Sequence, residues 1–123
     1  MSDVQIKQID EIEPYSGPNA LEGIKFRPAG RALGVSAWGM NVIEIAPGTS
    51  VYPEHDHSGD GQEEVFFVVR GSATLRTGGE ERRVGEGTLV RIGPEEKRKW
   101  IPGDSGVVLL GVGATPGKAY ELR

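Results

Sequence analysis

The 123-residue chain has two histidines, and they stand two apart, His55 and His57 in the segment Pro53-Glu54-His55-Asp56-His57. In extended backbone, residues i and i+2 point to the same side, so both imidazoles face one way. Glu64 follows beyond the turn Ser58-Gly59-Asp60-Gly61 and heads an apolar run, so pairing of the two segments would bring its carboxylate beside both rings. Two imidazoles and a carboxylate are donors that suit a divalent transition metal, Fe, Mn, Ni or Zn. Three ligands leave positions open for water or substrate. An ion there would also offset the cost of burying Glu64. The competing reading makes His55 and His57 solvated loop residues and Glu64 a carboxylate paired to an arginine.

A triad of this kind needs strands to hold it. Short apolar runs recur between turn signals: 24–27, 32–37, 40–46, 51–54, 64–70, 73–77, 81–84, 89–92, 98–101 and 107–112. Ten such runs at close spacing predict an all-β sandwich or barrel, mostly antiparallel. The 19 glycines and 8 prolines agree, since they punctuate a chain that turns often and leave little room for long helices. Gly78-Gly79 separates two alternating runs and suits a two-residue hairpin. Residues 1–23 read as an edge strand followed by a loop, with a helical turn ended by Pro14 as the alternative. Along 64–69, Glu64, Phe66 and Val68 share one face, and Val65, Phe67 and Val69 the other. Both faces are apolar apart from Glu64, so the second must be covered by another sheet or by a second subunit.

The stretch from Gly48 through His55 and His57 to Glu64 and Gly71 resembles the first motif of the cupin superfamily, which runs glycine, HxH, glutamate, six residues, glycine. The Glu64 to Gly71 spacing fits. One extra residue precedes His55, and six residues rather than three or four separate His57 from Glu64. Taking Glu63 as the acid would turn the carboxylate to the opposite face, so Glu64 is preferred. The second cupin motif is degenerate: aligned from Gly87, its histidine position falls on Arg98, or on Lys99 if Pro94 is the anchor. An arginine stays protonated and offers no lone pair. It would either repel an ion, form a fork with Glu64, or clamp an anionic substrate while the triad holds the metal. The resemblance implies one cupin-like domain over 1–123, with a double-stranded β-helix or jelly-roll barrel over 40–112 and a pocket in the barrel mouth. It also implies a homodimer.

Candidate substrate-binding residues are Arg98 together with the aromatic and methionine positions Trp38, Met40, Tyr52, Phe66 and Trp100. Trp100 shares strand parity with Arg98, and an aromatic beside a cation suits a planar or anionic molecule. Glu54 and Tyr52 are the only nearby candidates for a general base. Asp60, Asp104, residues 80–83 and Lys118 are expected to face solvent, and Tyr120 either caps the barrel or swaps onto a partner. Fourteen basic against eighteen acidic residues give a net charge of −4, which disfavours nucleic acid and anionic membranes as partners. With no cysteine there is no disulfide, thiolate metal site or thiol nucleophile. No leader or membrane-length apolar run is evident, so a cytoplasmic location is expected. Two functions compete: a metal-dependent enzyme of dioxygenase, isomerase, lyase or decarboxylase type, and a metal-free barrel that binds a small ligand. A purely structural module is the third.

Overall fold

The computed structural model describes residues 2–121. Its six strands are β1 (Ile24–Arg27), β2 (Gly39–Ile45), β3 (Glu63–Thr77), β4 (Glu80–Gly85), β5 (Leu89–Ile92) and β6 (Arg98–Ala114), with one short helix, α1 (Ala29–Leu33), between β1 and β2. All pairings are antiparallel, in the order β1-β2-β6-β3-β4, and β5 lies along the first half of β3 where β4 lies along the second. The molecule is thus mostly antiparallel sheet closed as a β-barrel, the predicted class.

Four of the expected runs are in fact two long strands. β3 and β6 pair from Glu63↔Ala114 to Thr77↔Arg98, with register shifts between Val68 and Arg70 and between Gly71 and Ala73. At this bend Gly71 and Gly106 both have φ near +77°, and a Cβ on Gly71 would collide with the Gly106 carbonyl oxygen. Only glycine allows that approach. The bent halves close on one core, in which Ile43, Ile45 and Leu109 meet Ala73, Leu75 and the fully buried Trp100. Gly78 and Gly79, at φ +53° and +81°, make the expected hairpin between Thr77 and Glu80.

Three expectations are corrected. The described part of residues 1–23 contains no strand; it forms a 3-10 turn at Ile9–Glu11 and otherwise coil. The run 32–37 is not extended either: its first two residues end α1, Gly34 closes the helix in the left-handed region at φ 77°, and the rest is coil. The run 51–54 makes no strand, and its neighbour His55 forms a single bridge to Arg98. The amino-terminal arm nevertheless has a packing role. Arg27, buried, donates from Nη1 to the Ile12 carbonyl at 2.7 Å and from Nε to Glu44 Oε2 at 2.5 Å. Ile12, Ala29, Val42 and Val108 then form a second cluster against which Val69 packs. The outer face of β3 is therefore covered in part from within the chain, while Val65 and Leu89 stay exposed. No helix among the described residues is long and apolar enough to cross a membrane.

Candidate functional site

The His55–His57 segment is held by backbone rather than by a strand of its own. His55 N–H donates to the Arg98 carbonyl at 3.2 Å, Arg98 N–H returns a bond to the His55 carbonyl at 2.9 Å, and His57 N–H donates to Pro94 O at 2.7 Å. The two rings therefore stand over the start of β6, their centroids 5.3 Å apart and nearly perpendicular. The following loop turns back on itself: Gly61 N–H reaches the His57 carbonyl at 2.6 Å, and Asp56 accepts from the Ser58 backbone and hydroxyl. Those Ser58 bonds hold the Asp56 carboxyl below its usual range. Glu64 sits near the start of β3, opposite Gly113 on one side and Ile92 on the other. As a result one ligand atom each from His55, His57 and Glu64 lies within 4.8 Å of the other two, all three side chains half-buried.

The hydrogen bonds fix which nitrogens face the site. His55 Nδ1 lies 2.9 Å from the Pro53 carbonyl, which can only accept, so Nδ1 carries the hydrogen and Nε2 the lone pair. His57 stands between two carboxylates: Nδ1 is 3.1 Å from Asp60 Oδ1 and Nε2 is 3.4 Å from Glu64 Oε1. A neutral imidazole can donate to only one of them. With its hydrogen on the Asp60 side, a lone pair and a carboxylate oxygen would face each other, an arrangement that needs a proton or a metal ion between them. The donor set and its outer anchors therefore fit a three-ligand cation site.

Arg98 supplies the opposing feature. Its side chain is 0% exposed, and its guanidinium donates from Nη1 to Glu64 Oε1 at 2.5 Å, from Nη2 to Gly93 O at 2.7 Å and from Nε to Glu96 O at 2.9 Å. It is absent from the wall of the cavity described below. The anion clamp expected of Arg98 is corrected on that ground: the charge is turned onto Glu64 and two carbonyls of the preceding turn.

Beside the triad opens a cavity of about 390 Å³. Tyr52 and Phe66 line it as expected, Tyr52 with its ring 5.9 Å from that of His55. Trp100 does not: it packs edge-on behind Phe66 in the core, at 5.3 Å. Trp38 and Met40 line a second cleft of about 500 Å³, which shares Tyr15, Asn41 and Tyr120 with the first. Burial and the Glu64 charge push the Tyr52 phenol well above its ordinary value, Arg98 opposing, so Tyr52 is no base near neutral pH. Glu54 is exposed and outside the cavity wall.

Several site residues escaped the sequence reading. Asp60, expected in solvent, holds His57; its place three residues on, at the end of a tight turn, was the available signal. Gln62 shares parity with Glu64 and lines the cavity with Asn19 and Asn41. Gly111 and Gly113 form the floor: a Cβ on Gly111 would lie 3.0 Å from the Phe66 ring, and one on Gly113 would lie 3.2 Å from Glu64 Cγ. Tyr120 lines the cavity beside Gly39, its hydroxyl 3.0 Å from where a Gly39 Cβ would stand.

The model for the cupin domain family matches residues 41–113. Among solved structures, a cupin protein from Bacteroides fragilis superposes with a TM-score of 0.71 at 19% identity, covering 100% of this chain and 93% of that one. A protein described as a sugar phosphate isomerase from a cupin superfamily, from Silicibacter pomeroyi, gives 0.74 at 22%, with 91% and 77% covered. A predicted oxalate decarboxylase from Thermotoga maritima gives 0.72 at 19%, with 90% and 99% covered. A chain from Acidithiobacillus ferrooxidans, with a TM-score of 0.62 at 23% identity, is longer: this one covers 73% of its own length and spans 58% of that protein. At such identities the likeness concerns the fold. No curated protein sequence gives a match.

Proposed function

The chain belongs to the cupin domain family, and from that premise we propose that it binds a divalent transition-metal ion at His55, His57 and Glu64 and a small organic molecule in the cavity beside them. The observation that carries this is the convergence of ligand atoms from His55, His57 and Glu64, with Asp60 behind His57 Nδ1 and Glu64 before its Nε2, a donor set that suits a cation. A bound ion would supply Lewis acidity to a coordinated carbonyl, hydroxyl or carboxylate. The protein's own share is to fix the two Nε2 lone pairs through Pro53 O and Asp60, and to narrow the approach with Tyr52 and Phe66. Among the described residues, no lysine or arginine lines the cavity, so an anionic group on the ligand would be directed to the ion. Asn19, Asn41 and Gln62 offer neutral hydrogen bonds suited to a polar, oxygen-bearing molecule.

Elemental analysis of protein purified without a histidine tag tests this. About one transition-metal ion per chain is expected, lost in His57→Ala and Glu64→Ala. Occupancy below about a tenth of that after reconstitution would reject the metal and favour a second reading. In that reading the barrel binds its ligand without metal, and Arg98, at 2.5 Å, neutralises the Glu64 carboxylate in the ion's place. A thermal-shift screen against carboxylates, sugars and phenolics would then identify the ligand class. We further propose a homodimer and a cytoplasmic location, both checked on the native protein by sedimentation and fractionation.

A further inference from the structure

Resting on the metal reading above, we propose that Arg98 is an internal competitor for the metal ion: its guanidinium holds Glu64 in the ion's absence and must share or yield that carboxylate when the ion enters. Three observations carry the argument. First, the Arg98 side chain is wholly buried, so its charge is screened by the protein alone. Second, among the described residues the contacts to the Glu64 carboxylate are Arg98 Nη1 at 2.5 Å and His57 Nε2 at 3.4 Å, and both fall on Oε1. The oxygen nearest the imidazole is thus the one the guanidinium occupies. Third, the remaining donors of Arg98 are anchored on Gly93 O and Glu96 O, so the side chain is fixed in place and cannot swing away from an arriving ion. A fixed positive charge on the carboxylate that serves as the anionic ligand lowers that ligand's donor strength and repels the ion directly.

Arg98 is a positioning residue in this account. It presets the Glu64 side chain beside His57, so the triad is assembled before any ion arrives, at the cost of weaker binding. The ligand set therefore stays at three protein donors, and the site is tuned for reversible rather than permanent occupancy.

The test is titration with Co(II) alone, followed by calorimetry, of the wild type and of two neutral variants, Arg98→Met and Arg98→Gln. Folded neutral variants are expected to bind Co(II) more tightly than the wild type by roughly tenfold or more, since a full buried charge beside the ligand is removed. If the wild type binds and both neutral variants bind no tighter, the competitor role is overturned while the metal site stands. If neither wild type nor variants bind, the metal reading and this inference fall together. Should both variants fail to fold, the wild type decides alone. The solvent-protected guanidinium resonances of Arg98, separated from those of buried Arg27 by an Arg27→Lys spectrum, are followed during Zn(II) addition. They are expected to shift as Glu64 is drawn to the ion, and saturation with Zn(II) that leaves them unmoved would overturn the proposal.

Discussion

The two ends of this barrel are built on the same three strands and differ only in what points inward. Going across β2, β6 and β3, the register gives successive rungs. Ile45 faces Val107 and Ile43 faces Leu109, which in turn faces Val68; then Asn41 faces Gly111 and Phe66, and Gly39 faces Gly113 and Glu64. The first two rungs are branched aliphatics packed against Leu75 and Trp100. The last two carry an amide, three glycines, a carboxylate and the single aromatic ring of Phe66, and there the cavity opens. Antiparallel pairing continues from one end to the other, through the register shifts between Val68 and Ala73. The difference shows that a strand's hydrogen bonds position a site without defining it, while inward side-chain volume decides whether the interior is core or binding space.

The comparison is broken most severely at the filled end. Trp100 is 0% exposed and stacks edge-on against Phe66. Trp100→Ala is expected to cost about 3–5 kcal/mol in denaturant unfolding, the range for emptying an aromatic site in a core. Its buried Nε1 has no partner among the described residues, so Trp100→Phe is expected to cost less than the loss of ring area alone suggests. A loss below about 1 kcal/mol for the alanine variant would mean that this end is not the structural anchor.

At the open end the reverse substitution is informative. Gly113 lies on β6 without a positive φ, so alanine there is acceptable to the backbone, and its effect would come through the Cβ, 3.2 Å from both Glu64 Cγ and Gln62 Oε1. Gly113→Ala is expected to lower stability by about 1–3 kcal/mol and to weaken metal binding by pushing Glu64 aside. Unchanged Co(II) affinity in the folded variant would show that the glycine floor is dispensable.

The filled end was legible in sequence because alternation of large apolar residues is its whole signal. Val68, Leu109 and Ile45 follow from parity alone. The open end was legible only through the spacing of His55, His57 and Glu64, since its remaining parts are small or neutral residues. Gly111 falls inside the expected run 107–112 and Gly113 just beyond it, and nothing in the sequence marks either as a wall of the cavity, although both sit inside a 17-residue strand. Asp60 read as a solvated turn acid because only the folded loop shows that it reaches back three residues to an imidazole. Trp38, Met40 and Trp100 were drawn into the site by aromatic or sulfur character. Trp38, just before β2, and Met40 on it line a neighbouring cleft, while Trp100 on β6 packs in the core.

A milder change separates the site from its scaffold. Asp60 accepts from His57 Nδ1 and also from Gln62 N–H. Asp60→Asn keeps the loop's shape but exchanges an anionic acceptor for an amide. Metal affinity is expected to fall about 10–100-fold with little change in melting temperature of the metal-free protein, the usual signature of losing a carboxylate behind a ligating imidazole. Equal affinity in both proteins would remove Asp60 from the site.

The smallest effect lies where the two ends meet, at Tyr52, which belongs to the core cluster and to the cavity wall at once. Burial, with the Glu64 charge adding, keeps its phenol protonated in the folded chain to a higher pH than in the unfolded chain, whose phenol titrates near its ordinary value of about 10. Above that pH the folded state therefore binds more protons than the unfolded one, and linkage requires stability to fall as pH rises. The contribution is fully present below pH 10 and is lost at up to about 1.4 kcal/mol per pH unit above it. Tyr52→Phe removes the titrating group, so chelator-treated wild type and variant should run parallel at neutral pH and diverge above pH 10, the variant with the flatter slope. Parallel profiles throughout the alkaline range would place the phenol in water rather than at the boundary between core and cavity.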